Sequence, residues 1–211
     1  NSEISILENG KVSINEIIVA NFNSIEHHGI YRDLVYKKDS TDKKRHYLSY
    51  QIKEVFMDDS SVQYTTSYTD EFFRIQIGNP SKTLTNKHIY KIKYTATGAI
   101  GSFSDHDELY WNVTGNYWSI PVLNSTAKVI LPKEGIERVS CFSGISGSTN
   151  SCESSKVSDV AATFKYDQEL NPGEGLTLVV GFTKGLVPIL EGKAPPAFGL
   201  DPIDIVIFSL I

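Results

Sequence analysis

Short stretches in which hydrophobic and polar residues alternate recur along most of the chain. Ile4 and Ile6 alternate with polar residues, and Val12 and Ile14 do the same beyond the dipeptide Asn9-Gly10. Asn-Gly between two alternating runs is a strong signal for a β-hairpin. Similar runs, separated by Asp, Asn, Ser, Gly and Pro, span residues 47–56, 62–68, 72–77, 89–96, 109–113, 117–123, 127–131, 139–142, 161–166 and 176–182.

Many short strands at fairly even spacing predict an all-β domain. No amphipathic pattern of three helical turns occurs before residue 190. We therefore expect an antiparallel β-sandwich, immunoglobulin-like or related, over residues 1–188. The small and polar segment Gly98–Asp107 leaves open whether the strands form one sandwich or two stacked halves joined at this point.

The end of the chain differs in composition from the rest. Residues 189–202 contain Gly192, Pro195 and Pro196 and are typical of a linker, whereas Ile205–Ile211 is apolar apart from Ser209. A membrane-spanning helix needs about 20 apolar residues, so residues 203–211 are predicted to be only the start of one. The alternative is a last buried strand or helix of the domain.

Composition and charge narrow the class of protein. Hydrophobic residues make up 40% of the chain, which suffices for a packed core. The net charge of −5 argues against a nucleic-acid-binding domain, which would normally be basic. Cys141 and Cys152 are the two cysteines of the sequence, and their proximity predicts a local disulfide in an oxidising, extracytoplasmic compartment. The alternative is two reduced thiols, in which case the cysteines give no argument for an extracytoplasmic compartment.

Aromatic residues are concentrated between positions 109 and 120. If Thr114-Gly115 forms the centre of a hairpin turn, Trp111 and Trp118 share one face, and Tyr110 and Tyr117 share the other. The Trp face would then lie in the core, because Leu109 and Ile120 fall on it, and the Tyr face would be exposed. The alternative is an aromatic platform for a sugar ring or a peptide.

A second cluster of polar residues interrupts hydrophobic sequence. It contains His27, His28, Tyr31 and Arg32. Adjacent His side chains diverge on an extended backbone, and no third ligand is evident, so we do not predict a metal site. We expect Arg32 to form a buried ion pair or hydrogen bond that fixes this segment as a loop.

Several of these stretches together resemble the family of predicted bacterial membrane proteins known as domain of unknown function 2207. The resemblance rests on His28–Arg32, on Leu109–Gly115 followed by Trp118–Pro121, and on Leu170–Leu176, and it covers residues 3–188. It implies an N-terminal signal, an extracytoplasmic β domain and membrane helices after it. No activity is established for the family, so the resemblance implies no catalytic residues. The cysteine pair is not part of it.

No motif in the sequence indicates catalysis. There is no P-loop, no HExxH motif and no recognisable pair of glycosidase carboxylates. We therefore predict a non-enzymatic interaction or sensing domain without cofactor, held to the membrane by a C-terminal anchor and contacting an unknown protein or a cell-envelope polymer. The alternatives are a structural spacer in a membrane assembly and a carbohydrate-active or hydrolytic domain. The basic stretch Lys37–Arg45 is expected to be a solvated loop, with contact to anionic lipid headgroups or wall polymers as its alternative.

Overall fold

The structure is a computed structural model that describes residues 1–38 and 46–195. The predicted start of a membrane helix at 203–211 lies outside these residues, as do residues 196–202 of the predicted linker and residues 39–45 of the basic stretch.

The prediction of an all-β fold is confirmed. The described residues form eighteen strands and no helix, and thus none long and apolar enough to cross a bilayer. The first nine strands are β1 (Ser2–Ile6), β2 (Val12–Asn21), β3 (Gly29–Val35), β4 (Lys37–Lys38), β5 (His46–Tyr47), β6 (Ser49–Met57), β7 (Ser60–Ser61), β8 (Tyr64–Tyr68) and β9 (Phe72–Gly78). The others are β10 (Lys87–Thr97), β11 (Ile100–Ser102), β12 (His106–Asn112), β13 (Ser125–Ile130), β14 (Ile136–Gly144), β15 (Asn150–Ser151), β16 (Glu153–Lys156), β17 (Ala161–Tyr166) and β18 (Gly175–Thr183).

Three sheets carry the fold. An eight-stranded sheet has the order β16-β17-β13-β1-β2-β10-β6-β7, a five-stranded sheet the order β11-β12-β18-β14-β15, and a three-stranded sheet the order β3-β9-β8. The short strands β4 and β5 pair with each other. The ladders are antiparallel except for β1 and β13, which run parallel. The antiparallel expectation therefore holds for the described strand pairs with this one exception.

The predicted hairpin around Asn9-Gly10 is confirmed. Strands β1 and β2 pair with Ile4 opposite Ile14, and both side chains are fully buried. Gly10 has a φ of 78°, and a Cβ at this position would lie 2.0 Å from the carbonyl oxygen of Pro188. A glycine is thus required here both by the left-handed backbone and by the chain that crosses the turn.

The three sheets enclose one continuous hydrophobic core. Tyr50 of β6 in the large sheet shows how they meet: its ring centroid lies 5.5 Å from that of Phe73 on β9 and 6.5 Å from that of Trp111 on β12. The two smaller sheets therefore cover the same face of the large one. Gly98–Asp107 links the large sheet to the five-stranded sheet, and strands from both sides of it share the large sheet.

The predicted strand at residues 117–123 and the hairpin pairing of the two tryptophans are wrong. Both edges of β12 are occupied by β11 and β18, so Trp111 lies opposite Leu178 and not opposite Trp118. Residues 113–124 form an irregular segment, in which Ile120 is exposed. Conversely, Tyr31 and Arg32 of the polar cluster that was expected to be a loop lie on the regular strand β3, whose inward positions alternate as Ile30, Arg32 and Leu34. Because the charged residue Arg32 occupies a buried position, the strand does not show the usual alternation of hydrophobic and polar residues in the sequence.

The predicted disulfide between Cys141 and Cys152 is confirmed. Cys141 lies on β14, its Cα atom is 5.4 Å from that of Cys152, and Cys152 lies between β15 and β16. Because β15 belongs to the five-stranded sheet and β16 to the eight-stranded one, the bond fixes the point where the chain passes from one sheet to the other.

We expect a Cys141→Ala/Cys152→Ala variant to fold but to have a lower free energy of unfolding. The bond closes a loop with a sequence separation of 11 residues. Loss of the chain-entropy effect of so short a loop costs at most about 3 kcal/mol. Urea unfolding followed by tryptophan fluorescence measures the change, with Cys152→Ala alone as a control for loss of the bond without the buried substitution. An unchanged free energy of unfolding would show that the bond does not constrain the unfolded chain.

Candidate functional site

The centre of the molecule is a buried arginine. Arg32 is only 2% exposed and forms a bidentate ion pair with Glu16, in which Nε and Nη2 each lie 2.7 Å from a carboxylate oxygen. Its remaining N–H groups donate to three carbonyl oxygens, of Asp33 (3.0 Å), Val113 (2.8 Å) and Thr114 (2.9 Å). A guanidinium has five N–H donors, so every one of them is satisfied.

This Arg32 junction connects all three sheets. Glu16 lies on β2 of the eight-stranded sheet, Arg32 on β3 of the three-stranded sheet, and Val113 directly after β12 of the five-stranded sheet. Tyr94 of β10 also donates its hydroxyl to Glu16 over 2.5 Å. The part of the prediction that gave Arg32 a buried ion pair is therefore confirmed, although the residue lies on a strand and not in a loop.

The irregular segment after β12 is shaped to receive the guanidinium. Gly115 has a φ of 79°, and a Cβ there would lie 2.8 Å from Nη1 of Arg32. The side chain of Asn112 holds the turn by accepting a hydrogen bond from the Gly115 amide, and the indole of Trp118 donates to the Thr114 carbonyl. The Trp-Asn-x-x-Gly-x-x-Trp stretch thus has a specific structural role, which is to build a carbonyl cradle for Arg32.

Arg32 and Tyr94 keep their ordinary ionisation states at the junction. Burial alone would lower the pKa of Arg32, but attraction to Glu16 and the hydrogen bonds to it outweigh burial and raise this pKa above its usual value. Burial, and then the negative charge of Glu16, raise the pKa of Tyr94 well above its usual range. Arg32 is therefore charged and Tyr94 neutral, which is an arrangement for structure and not for proton transfer.

On the outer side of the three-stranded sheet, next to Arg32, lies a second arginine surrounded by aromatic rings. Arg74 of β9 forms a bidentate ion pair with Asp33, with two distances of 2.8 Å. Its guanidinium lies 4.4 Å from the ring centroid of Tyr31 and 4.9 Å from that of Phe72. The ring centroids of Phe72 and Tyr117 in turn lie 4.7 Å apart. We call Tyr31, Phe72, Arg74 and Tyr117 the aromatic surface.

The aromatic surface is partly open to solvent. Tyr31 is 52% exposed and Tyr117 is also exposed, whereas Asp33 beneath them is buried. The hydrogen bond to Asp33, together with attraction to it, raises the pKa of Arg74, despite partial burial. Burial raises the pKa of Tyr117. The surface therefore combines exposed neutral rings with a cation whose position is fixed by a buried carboxylate.

The structure brings together four of the seven residues predicted as a structural or interaction cluster. Tyr31, Arg32, Tyr117 and Trp118 line one small depression. The other three are His28, Tyr110 and Trp111. His28 lies at the far end of β3, where its Nδ1 is 2.9 Å from the Lys82 carbonyl oxygen, and Tyr110 is 54% exposed on the five-stranded sheet. Trp111 is a core residue.

Sequence reasoning placed Asp33 in the polar cluster around Arg32 but missed Glu16, Phe72 and Arg74 as site residues. A signal for Glu16 exists, because it falls on the same face of β2 as Val12 and Ile14 and so occupies an inward position. Asp33 and Arg74 lie directly opposite each other on β3 and β9. That pairing follows from the register of two strands that are far apart in the sequence, which no local pattern reveals.

A larger groove lies elsewhere and differs in chemistry. It has a volume of about 620 Å³ on the outer face of the eight-stranded sheet, where Glu3 and Glu153 alternate with Lys128 and Lys165. Phe164 is its aromatic lining residue and is itself buried. Nothing in the groove combines exposed rings with a fixed charge, so we place the candidate site at the aromatic surface.

Residues 1–38 and 46–195 contain no group of three or more His, Cys, Asp or Glu side chains arranged to hold a metal.

The fold and the site define a class of protein: an all-β domain whose three sheets are joined by a buried ion pair and which exposes an aromatic surface beside it. The chain belongs to the family of predicted membrane proteins DUF2207, whose N-terminal domain matches residues 1–182. This confirms the resemblance found in the sequence. The family is one of unknown function, and a comparison with curated proteins gave no match.

Solved structures show a similar fold at low sequence identity. Yeast LTA4 hydrolase in complex with bestatin is 12% identical with a TM-score of 0.50, and the match covers 85% of this chain and 27% of that one. An M1 zinc metallopeptidase from Deinococcus radiodurans is 10% identical with a TM-score of 0.44, covering 84% and 40%. The chain thus spans less than half the length of these two proteins. At such identity the likeness to the yeast protein concerns the fold alone, and no enzymatic activity follows from it.

We expect single substitutions in the Arg32–Glu16 pair to be far more damaging than the double substitution. Arg32→Met leaves the Glu16 carboxylate buried and unpaired, and Glu16→Leu does the same to the guanidinium. Each should lower the free energy of unfolding by about 3–5 kcal/mol. The variant with both changes should regain part of this loss, because neither charge is then left alone.

Urea unfolding of the two single variants and the double variant gives the coupling energy directly. Arg138→Met is the matched control, since Arg138 also pairs with a carboxylate, that of Asp105, but both side chains are exposed; it should cost about 1 kcal/mol or less. Additive effects of the two changes at Arg32 and Glu16 would contradict a coupled pair at the junction.

Proposed function

We propose that this domain is a non-enzymatic interaction or sensing module of a membrane protein, and that the aromatic surface is where it contacts its partner. The observation that carries the proposal is the fixed arrangement of Tyr31, Arg74 and Phe72 over the buried Asp33. Exposed Tyr and Arg side chains in a rigid setting contribute most to many protein interfaces. Rigid rings also lose little conformational entropy on binding.

The partner is an unknown protein or a cell-envelope polymer. Tyrosine rings offer a flat apolar face together with a hydroxyl, which suits both a peptide and a sugar ring. Two bonds between Arg74 and Asp33 leave the guanidinium with N–H groups beyond those used in the pair, and these favour a partner with carboxylate or carbonyl oxygens.

We propose an extracytoplasmic position for the domain and an anchor after residue 202. The family supports a membrane protein, and the disulfide supports an oxidising compartment, since such bonds persist mainly outside the cytosol. No nucleic acid is expected as a partner, because the chain carries a net charge of −5.

Two alternatives remain as competing proposals. A structural spacer in a membrane assembly would not use the aromatic surface for binding. A carbohydrate-active or hydrolytic domain would require titratable groups converging in a cleft, whereas the described charges near Arg32 are paired in a closed network. We therefore favour the interaction module.

Site-specific photo-crosslinking in the full-length protein tests the proposal. A photoreactive phenylalanine analogue at Tyr31 or Tyr117 should give adducts with a protein or with cell-wall material in intact cells. The same analogue at Tyr110, which is at least as exposed but lies on another sheet, should not. Equal crosslinking from all three positions, or none from Tyr31 and Tyr117, would reject the aromatic surface as the contact and favour a spacer.

A binding measurement complements the crosslinking. Tyr31→Ala/Tyr117→Ala should abolish co-sedimentation with a captured partner or with isolated cell-wall polymer, and Tyr110→Ala should leave it unchanged. Because both tyrosines are exposed, the double variant should retain its near-native free energy of unfolding. Retained binding by this variant would contradict the proposal.

A further inference from the structure

The chain after β18 crosses one end of the domain without forming a strand. We call residues 184–195 the C-terminal strap. Near its start, the amide of Gly185 donates to the buried carboxylate of Asp107 over 2.7 Å, and Val187 is buried in the core. The carbonyl oxygen of Pro188 then lies against Gly10 in the β1–β2 turn.

The second half of the strap is fastened to the start of β6. A Cβ on Gly192 would lie 2.0 Å from the carbonyl oxygen of Tyr47, and one on Gly98 would lie 2.7 Å from the amide nitrogen of Gly192. The amide of Lys193 donates to the hydroxyl of Ser49 over 2.5 Å. The first residues of the predicted linker, 189–193, are therefore held against the domain, and the described chain leaves it at this end.

We call the end of the domain that the strap crosses the strap end. It is well separated from the opposite end of the large sheet. Strand β10 runs from Lys87 to Thr97, and Gly98 directly after it touches the strap. At about 3.3 Å per residue, the eleven residues of β10 place its two ends about 30 Å or slightly more apart. The turn that contains Ser81 lies beyond the far end, because Leu84 pairs with His27 and Asn86 bonds to Asn23 there.

The sequence limits how far the apolar segment can lie from the strap end. Ile205 follows Pro195 by ten residues (205 minus 195). Ten residues span at most about 33–36 Å when fully extended, and about 31 Å in the polyproline conformation that Pro-rich linkers adopt. A segment that starts at Ile205 could therefore reach the far end only with a nearly straight linker laid along the whole domain.

From this constraint we infer that the strap end of the domain faces the lipid headgroups of the membrane in which the protein is anchored, and that the end at Ser81 points away. The inference rests on the proposed anchor after residue 202. The exposed Ile189 and the exposed Lys193 suit this position, because apolar and cationic side chains are both favourable at the headgroup layer. The aromatic surface, on the side of the domain formed by the three-stranded sheet, stays accessible to a partner.

Energy transfer to labelled lipids tests the orientation. The full-length protein is reconstituted in lipid nanodiscs whose headgroups carry an acceptor dye. A donor dye is introduced by a genetically encoded azide at Glu191 on the strap or at Ser81 at the far end, both of which are exposed. Because the two positions differ by about 30 Å in height, transfer from Glu191 should be at least about twofold more efficient.

The possible outcomes separate the orientation from the anchor. Equal transfer, or stronger transfer from Ser81, would overturn the inferred orientation. No transfer from either position, with protein that does not remain in the nanodisc fraction, would instead contradict the membrane anchor of the proposed function.

A second variant tests whether the strap sets the orientation. Gly192→Ala places a methyl group against the Tyr47 carbonyl, so it should loosen the strap and reduce the difference in transfer between the two positions. Gly173→Ala is the control for a strained alanine remote from the strap: the φ of +86° at Gly173 disfavours alanine, but no part of the strap lies there, so the difference in transfer should persist. An undiminished difference in the Gly192→Ala protein would show that the strap does not hold the domain in place.

Discussion

The fold depends on one buried ion pair at the place where three sheets meet. Burying a carboxylate and a guanidinium costs several kcal/mol for each ion, and their attraction offsets this only if the geometry is good and the remaining hydrogen bonds are made. Arg32 meets both conditions, because it pairs with Glu16 through two bonds and donates its other protons to carbonyl oxygens. These partners lie on β2, on β3 itself and in the segment directly after β12. Hydrophobic contacts alone are non-directional and would allow the sheets to shift relative to one another. The five directed hydrogen bonds of Arg32 fix one arrangement of the sheets.

The ion pair also explains why the aromatic surface is rigid. Arg32 and Asp33 are neighbours on β3, so their side chains point to opposite faces of the strand. The first reaches the core and the second anchors Arg74 on the outside. Any shift of β3 that disturbed the inner pair would also displace the outer one. A surface built in this way is ordered before a partner arrives, which lowers the entropy cost of binding.

The sequence predicts the strands correctly where hydrophobic and polar residues simply alternate, and it fails where a charged residue is buried. The strands at Ile89–Ala96 and at Leu176–Phe182 follow directly from their periodicity, and the disulfide follows from cysteine spacing. Strand β3 was missed because Arg32 occupies an inward position, and the false strand at 117–123 arose because aromatic residues there pack in an irregular segment. The partners of Arg32 and Arg74 depend on contacts between distant strands. Local pattern carries no information on such contacts until the topology is known.

The stretches that carry the family resemblance converge on the Arg32 junction. Gly29–Arg32 supplies the guanidinium, Asn112 and Gly115 shape the cradle that receives it, and the turn after Leu170 closes over this cradle through a hydrogen bond from Asn116 to the Gly173 carbonyl. These residues specify how the sheets are joined. They therefore identify the fold of the family and leave its partner undefined. Information on the partner must instead lie in the exposed side chains that the junction holds in place. Tyr31 and Tyr117 are the nearest of these side chains. A comparison of family members by function should therefore begin with these two positions and not with the motif itself.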